Sequence, residues 1–163
     1  MQNIVSCLWF DGNAEEAARF YVSVFKDARL GATTRYGEAG REIHGKPAGS
    51  VLTVEFQLNG RDFVALNGGP LFKFNEAVSF QVPCETQDEI DYYWDKLSAD
   101  ADKGAQQCGW LKDKYGLSWQ VVPTILPEML KDRDREKANR VMAALLTMKK
   151  LDIAGLTRAH AGK

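Results

Sequence analysis

The chain of 163 residues has few of the histidines and closely spaced cysteines that form metal sites and reactive thiol sites. It has two histidines, and its three cysteines, Cys7, Cys84 and Cys108, are widely separated with no CxxC pair. A zinc site of the usual kind needs closely spaced Cys or His ligands. A cysteine nucleophile needs a histidine base, and neither His44 nor His160 is near a cysteine in the sequence. The sequence therefore favours reduced, mostly buried thiols in an intracellular protein.

Long apolar runs and clustered basic residues are also missing. No apolar run approaches the ~18 residues of a membrane span, and the first residues lack the basic and apolar regions of a signal peptide. The formal net charge is −1, and Lys and Arg are spread along the chain. A nucleic-acid-binding surface needs them clustered. We expect a cytoplasmic protein that binds neither membrane nor nucleic acid.

What is present is typical of a globular chain, with 45% apolar and 26% charged residues. The length suits one domain or two small halves that share a core. A chain of this size buries roughly 70% of its unfolded surface. We therefore expect it to fold without a metal ion or a disulfide.

Two segments each combine a β-prone run with a capped helix pattern. The first leads from IVSCLWF (4–10) to Asn13, and the second from AVSFQVPC (77–84) to Thr86, each cap having Glu three residues later. A shift of 73 positions, the interval from 13 to 86, aligns the caps and four apolar positions. The match indicates a duplicated strand–helix unit. The aligned apolar pairs are Ala17 with Ile90, Phe20 with Tyr93, Tyr21 with Trp94, and Val24 with Leu97.

Strand-like runs follow each predicted helix. After the first come 28–37, 50–58 and 61–67, and Asn59-Gly60 between the last two is a two-residue hairpin signal. After the second come 104–112 and 117–123. We predict an α+β fold of two βαβββ modules. The predicted divisions are a first module (1–67), a linker (68–76), a second module (77–126) and a C-terminal helical extension (127–163).

The extension carries Val141, Leu145 and Met148 at helical spacing within 137–156, which predicts a helix with one apolar side. An open sheet edge and a helix with one apolar side can each bind a second protein chain. We expect a homodimer by analogy. The alternative is a monomer in which this helix covers its own sheet.

Four segments of the chain carry a family resemblance: WFDGNAEEAARFY, LNGGPLFKFNEAVSFQVPCET, CGWLKDKYGLSWQVVP and MKKLDIAGL. They resemble the PhnB-like group, which has often carried the label 3-demethylubiquinone-9 3-methyltransferase. That group is similar to glyoxalase I, bleomycin-resistance proteins and extradiol dioxygenases. The likeness extends through nearly the whole chain, and its most specific part is the hairpin at 108–123. It implies the glyoxalase, or vicinal-oxygen-chelate, fold, in which the modules curl a mixed sheet into a cup with the helices outside.

The resemblance also implies where a metal site would lie. Metal-dependent members of the superfamily take ligands, usually His and Glu, from the first and last strands of each module. The matching positions here are Ile4, Ala77, Gln120 and the stretch Val64–Leu66. A divalent ion needs three or four N, O or S donors, and one neutral amide cannot replace them. We predict no metal site and no cofactor.

Alternation along the strands predicts which side chains face the cup. In the first strand, Val5, Cys7 and Trp9 are expected to face the helices instead. A concave site with a few convergent polar groups is the usual form of a small-molecule pocket. The alternative is that the polar residues are solvated or buried against a partner subunit. The predicted lining consists of Leu8, Phe10, Thr53, Glu55, Gln57, Ser79, Gln81, Ser118 and Gln120.

Three of the four tryptophans and the hairpin tip are interpreted as parts of the scaffold and not of a binding site. Trp9, Trp94 and Trp119 share strand or helix faces with aliphatic residues, so we expect them in the core. Trp110 opens the hairpin and is expected near its rim. The charged tip, residues 112–114, is expected to be a solvated turn.

Three functions follow from these patterns. The principal hypothesis is a metal-free small-molecule-binding protein of the glyoxalase/bleomycin-resistance type. The second is an enzyme that works without a metal and uses Glu55, the one carboxylate on the predicted cup face, as an acid or base. The third is the methyltransferase of the family label. A Rossmann-type cofactor site would need a glycine-rich turn between a strand and a helix, and Gly68-Gly69 precedes a loop.

Overall fold

A computed structural model describes residues 4–163 and divides the chain into two compact units, Met1–Phe74 and Asn75–Lys163. Each unit holds one sheet and at least one helix that covers a face of it. This is a mixed α+β arrangement, as predicted. Within the described residues, no helix is long and apolar enough to cross a membrane.

The first unit contains four strands in one sheet, ordered β1-β4-β3-β2. Strand β1 is parallel to β4, and the other neighbours are antiparallel. The predicted two-residue hairpin is confirmed: Asn59 and Gly60 have φ of 46° and 76°, the left-handed region that such a turn requires. Its elements are β1 (Ser6–Phe10), α1 (Ala14–Val24), β2 (Ala28–Arg35), α2 (Arg41–His44), β3 (Val51–Leu58) and β4 (Arg61–Asn67).

Helix α1 packs against β3 and β4 through the apolar face that its spacing predicts. Ala17, Tyr21 and Val24 are buried, and Phe20 is half-buried. The Tyr21 ring stacks on Phe56 of β3 with centroids 5.9 Å apart. Burial of one large apolar side chain contributes about 2 kcal/mol, so these contacts fix the helix on the sheet.

The start of α1 is capped from a distance. Asn13 is the N-cap residue, as predicted, but its side chain makes no capping hydrogen bond. Instead, the Ala14 N–H donates to Asn67 Oδ1 at the end of β4, 2.9 Å away. Asn67 is buried, and its amide group also donates to the Val51 carbonyl. The cap therefore joins α1 to β4 and β3.

The second unit repeats this plan with one strand fewer. Its sheet has the order β5-β7-β6, and its first and last strands, β5 and β7, are parallel, as β1 and β4 are. The described residues thus form βαββ rather than the predicted βαβββ. The elements are β5 (Ser79–Cys84), α3 (Gln87–Leu97), β6 (Trp110–Lys112), β7 (Ser118–Pro123), α4 (Leu126–Leu130), α5 (Arg135–Thr147) and α6 (Ile153–Ala161), with a short 3-10 turn at Lys103–Ala105.

The missing strand corresponds to the segment before β6, which bonds to the C-terminal extension. The prediction placed a strand at 104–112, but only Trp110–Lys112 is a strand. Cys108 and Gly109 have positive φ, and their N–H groups donate to the carbonyls of Met148 and Lys149. This backbone bends away from a strand conformation, so it forms no further strand, although the Gly109 carbonyl accepts from the Val121 N–H of β7.

The turn between β6 and β7 is built around a buried carboxylate. Asp113 is 3% exposed, so the expectation of a solvated tip at 112–114 is wrong for this residue. Asp113 Oδ1 accepts from the N–H groups of Tyr115 and Leu117, and Oδ2 accepts from the Trp119 indole N–H at 2.8 Å. A buried carboxylate is stable only with such donors. Trp119 itself is in the core, as predicted.

The C-terminal extension packs within the second unit and is not one continuous helix. Helix α5 ends at Thr147, Met148 has extended backbone, and α6 begins after Asp152, whose carboxylate accepts from the Ala154 N–H. Leu151, between the helices, is completely buried. The prediction missed this break because the apolar spacing continues through it. The cluster that the extension forms consists of Leu126, Met129, Val141, Leu151 and Leu156.

Helix α3 binds the extension by polar contacts. Gln87 donates to the Leu151 carbonyl and accepts from the Ile153 N–H. Lys150 Nζ lies 2.8 Å from Asp91 Oδ1. The hydrogen bond from Lys150, with a further one from Gln87, lowers the pKa of Asp91, and the same bond raises the pKa of Lys150.

Replacement of Asp113 tests its structural role. We expect Asp113→Ala to lower the free energy of unfolding by about 3 kcal/mol, because three donors lose their acceptor in a buried turn. Urea unfolding followed by tryptophan fluorescence measures the change. Glu42→Ala, at an exposed position on α2, is the control and should change stability by less than about 0.5 kcal/mol. Equal effects of the two variants would contradict the role assigned to Asp113.

The Asp91–Lys150 pair predicts a pH dependence. Because the folded-state pKa of Asp91 is lowered, its contribution is present above the ordinary aspartate pKa of about 3.9 and is lost as pH falls through the folded value. Asp91→Asn should therefore be less stable than the wild type at pH 7, and the difference should shrink in acid. Urea midpoints between pH 7 and 3 measure this, with Asp88→Asn on the same helix as control. A difference that is constant across this pH range would refute the linkage.

Candidate functional site

The first strand faces the opposite way from the prediction. Leu8 and Phe10 are 5% and 4% exposed and do not line an open face. Leu8 is in register with the buried Ala65, on the side of the sheet that α1 covers. Cys7 is exposed, and Trp9 is half-buried rather than in the core.

Local packing explains this orientation. The Trp9 indole N–H donates to the Gly69 carbonyl at 2.8 Å, and the ring meets Phe72 edge-on at 4.9 Å. A side chain at Gly68 would lie 2.2 Å from the Trp9 ring, so glycine is required there. Because β1 is apolar on both faces, alternation alone could not distinguish them. A tryptophan tolerates the more polar side when its N–H has an acceptor.

Polar side chains of β3 and β4 form what we call the first polar face, consisting of Thr53, Glu55, Gln57 and Asp62. The three β3 residues lie together on the side away from Phe56, as predicted. Gln57 is in register with Asp62, and its amide donates to Asp62 Oδ1 at 2.8 Å. Thr53 shares a hydrogen bond of 2.5 Å with Thr34 of β2.

A cavity of about 420 Å³ lies on the first polar face. Glu55, Gln57 and Asp62 line it together with Arg29 of β2, which is in register with Gln57. The prediction missed Arg29 and Asp62. Asp62 could have been predicted from the Asn59-Gly60 turn. A two-residue turn that pairs Leu58 with Arg61 also pairs Gln57 with Asp62.

Gly31 provides the space beside Glu55. The pairing of β2 with β3 is irregular between Leu30 and Thr33, and Gly31 lies at this irregularity and lines the cavity. A Cβ at Gly31 would come within 2.9 Å of Glu55 Cβ. Any other residue there would push the Glu55 side chain aside. Glu55 is exposed, and its side chain makes no hydrogen bond or ion pair with other described residues, so its carboxylate is available to a ligand.

Uncharged polar side chains form the second polar face, which consists of Ser79, Gln81, Ser118 and Gln120. Its residues share one face of the sheet, as predicted, with Ser79 in register with Ser118 and Gln81 with Gln120. Gln120 donates to Ser79 Oγ at 2.7 Å and accepts from Gln81 at 3.3 Å. The Gln120 amide is thus held between the two β5 side chains.

Ser118 is a buried hydroxyl without a partner. It is 1% exposed, and within residues 4–163 no hydrogen-bond partner reaches its Oγ atom. Its register neighbour Lys112 on β6 forms an ion pair with Glu76, which precedes β5. Since β7 lies between β6 and β5, the ion pair joins β6 to the segment before β5, and Ser118 is on the strand between them. This hydrogen-bonded pair also lowers the pKa of Glu76.

The thiols do not form a reactive centre. Cys84 is buried as predicted, and desolvation raises its pKa to about 12, which disfavours the nucleophilic thiolate. Cys108 is partly buried. All three cysteines are free, and the expectation of mostly buried thiols is wrong for Cys7, which is exposed.

The residues at the positions where the resemblance implies metal ligands do not fit a metal ion. Ile4 and Ala77 are exposed residues that precede β1 and β5, and Val64 of β4 has no donor atom. Gln120 is a neutral amide that Ser79 and Gln81 already bind. Among residues 4–163, no three His, Cys, Asp or Glu side chains are grouped so that they could hold a metal ion. A divalent ion requires such a group.

Comparison with known proteins assigns the family. The sequence profile named 3-demethylubiquinone-9 3-methyltransferase matches residues 2–122. The chain belongs to this family. The PhnB protein of Bacillus cereus, a solved structure, is 37% identical over 76% of this chain and 100% of its own, with a TM-score of 0.64. The chain is thus a member of the PhnB-like group.

More distant solved structures show the fold alone. The fosfomycin resistance protein FosX of Mesorhizobium loti is 17% identical over 81% of this chain and 100% of its own, with a TM-score of 0.53. The protein PA1353 of Pseudomonas aeruginosa is 17% identical over 76% of this chain and 98% of its own, with a TM-score of 0.56. None of the curated proteins matches this chain. The glyoxalase-type fold class that the sequence predicts is confirmed.

The two serines in register on the second polar face give a matched test. Ser118→Ala removes a buried hydroxyl without a partner and should leave stability unchanged or raise it by up to about 1 kcal/mol. Ser79→Ala removes the acceptor of the Gln120 amide and should lower stability by about 1 kcal/mol. Urea unfolding of the two variants measures the difference. A destabilised Ser118→Ala would mean that this hydroxyl has a partner in solution.

Proposed function

We propose that the chain is a metal-free small-molecule-binding protein of the PhnB-like type. The single observation that carries this proposal is the cavity of about 420 Å³ on the first polar face. Ligand pockets commonly have volumes of about 300–1,000 Å³ and a few polar groups that fix the ligand. Glu55 and Gln57 provide an acid and an amide there. Thr53 continues the same face beside Glu55.

The second polar face supports binding by a different chemistry. Ser79, Gln81 and Gln120 offer hydroxyl and amide groups, which recognise carbonyl, hydroxyl and amide groups of a ligand. We propose Ser79, Gln81 and Gln120 as ligand contacts of the second unit. Leu8, Phe10 and Ser118 leave the proposed set because they are buried, at 5%, 4% and 1% exposed.

Glu55 also supports a second candidate, a metal-independent enzyme. Its carboxylate lines the cavity without a protein partner, so it could accept a proton from a bound ligand. Under this candidate, Glu55→Gln abolishes turnover while the fold and ligand binding are retained. Under pure binding, the same variant changes affinity only.

The methyltransferase activity in the family's description has no support from the glycine-rich segment of this chain. A Rossmann-type site uses the glycines of a strand-to-helix turn to approach the cofactor phosphate or ribose. Here Gly68 lies under the Trp9 ring, and the N–H groups of Gly68 and Gly69 donate to the Phe10 carbonyl. These glycines serve the packing of the first unit. We therefore propose methyltransferase activity only after small-molecule binding and metal-independent catalysis by Glu55.

Thermal shift of metal-stripped protein tests the proposal. A ligand that binds the native state stabilises it by about 2.7 kcal/mol at a hundredfold excess over Kd. The panel contains divalent metals, S-adenosylmethionine, quinone analogues, fosfomycin- and bleomycin-like compounds, small aldehydes and thioesters. We expect a saturable rise in Tm with an organic ligand and the same rise in the presence of EDTA.

Two variants test whether the ligand binds in the cavity. Gln57→Leu changes the cavity and should weaken the shift, whereas Glu42→Gln, an exposed position on α2 outside the lining, should not. A stoichiometric shift with Ni²⁺, Zn²⁺ or Mn²⁺ would refute the metal-free proposal. The homodimer and the cytoplasmic location stay predictions, and light scattering of the purified chain tests the first.

A further inference from the structure

The cavity on the first polar face contains opposite charges that do not pair with each other. Arg29 supplies a guanidinium group, and Glu55 and Asp62 supply two carboxylates. Neither Arg29 nor Glu55 makes an ion pair with the described residues. Asp62 accepts one hydrogen bond, from the neutral Gln57 amide. The three charged groups thus keep most of their binding capacity for a ligand.

The register of the strands explains why the charges stay apart. Arg29, Gln57 and Asp62 lie in one row across β2, β3 and β4. Neighbouring strands are about 4.8 Å apart, so the backbones of Arg29 and Asp62 are about two strand spacings apart, with Gln57 between them. Glu55 is two residues from Gln57 along β3, and its side chain lies against Gly31. The cavity therefore presents Arg29 on β2, Asp62 on β4, and the Glu55 carboxylate between these strands beside Gly31.

This distribution selects among ligand charges. An anion would meet Arg29 but also two carboxylates, and like charges oppose binding. A cation would meet the carboxylates but leave the five donors of the guanidinium without an acceptor. A neutral molecule would leave all three charges unused. A molecule with both an anionic and a cationic group can pair with the guanidinium and with a carboxylate at once.

We infer that the cavity binds a small zwitterion, with its carboxylate on Arg29 and its ammonium on Glu55 and Asp62. An aliphatic amino acid whose two charges are a few carbons apart has this chemistry. The Arg29 fork can hold the carboxylate by two parallel hydrogen bonds. Gln57 lies between the two ends and keeps its amide oxygen free to accept from the ligand. This inference rests on the proposed binding function and names its ligand class.

Four probes of equal chain length separate the charge contributions. They are 5-aminopentanoate with both charges, pentanoate with the anion, pentylamine with the cation, and pentanamide with neither. Titration of the ¹⁵N-labelled full chain, followed by amide chemical shifts, measures weak affinities and locates the site. We expect 5-aminopentanoate to bind most tightly and to shift the Gly31 and Val64 amides, which belong to cavity-lining residues.

Paired variants test each end of the site. Arg29→Gln should weaken 5-aminopentanoate and pentanoate about fivefold and leave pentylamine unchanged, because a partly exposed ion pair has about this effect. Glu55→Gln should weaken 5-aminopentanoate and pentylamine and leave pentanoate unchanged. Arg35→Gln is the control on β2: Arg35 bonds to the Gly49 carbonyl and does not line the cavity. Glu42→Gln is the acidic control.

The outcomes separate this inference from the proposed function. If pentanamide binds as tightly as 5-aminopentanoate, the charge inference is overturned and the proposed binding function stands. If no probe shifts the Gly31 amide, the inference is overturned, while the thermal-shift panel still decides the proposed function with its own ligands. If Arg35→Gln weakens binding as much as Arg29→Gln, the assignment of the anion to Arg29 is overturned.

Discussion

The hydrogen bonds of Asp113 are the constraint on which the second unit depends. One carboxylate accepts from two backbone N–H groups of its own turn and from the Trp119 indole. It therefore fixes the turn and the core tryptophan together, and with them the pairing of β6 with β7. Ser118 and Gln120 lie on either side of Trp119. Their position on the second polar face follows from the register that Asp113 sets.

The sequence predicts well what depends on local pattern. The β3–β4 hairpin, the cap at Thr86 and the alternation of β3 and β7 follow from short-range chemistry, and all are present. Helix α1 begins after Asn13 as predicted, but the side chain that caps it is Asn67. The placement of Leu8 and Phe10 was wrong because β1 is apolar on both faces, so only contacts with distant residues decide which face is covered. Asp113 was missed for a related reason. A charged residue in a turn is usually solvated, and only the folded chain brings the Trp119 N–H to it.

The two units keep a common topology but have different chemistry on their polar faces. In each, the first strand is parallel to the last. The first polar face holds carboxylates beside an arginine, while the second holds hydroxyls and amides that bond to one another. The positions that resemble metal-ligand positions bear apolar side chains or an amide. The two units thus share a scaffold but not the chemistry of their polar faces.

The caps of the two equivalent helices differ in how far along the chain they reach. Thr86 accepts from the N–H of Glu89, three residues away, whereas the first N–H of α1 depends on Asn67, 53 residues away. Helix α3 can thus be capped as soon as its own sequence is available. Helix α1 gains its cap only after β4 has paired, and closing so long a loop has an entropic cost. The same motif, present twice, therefore gives one helix with a local cap and one whose cap depends on the folded sheet.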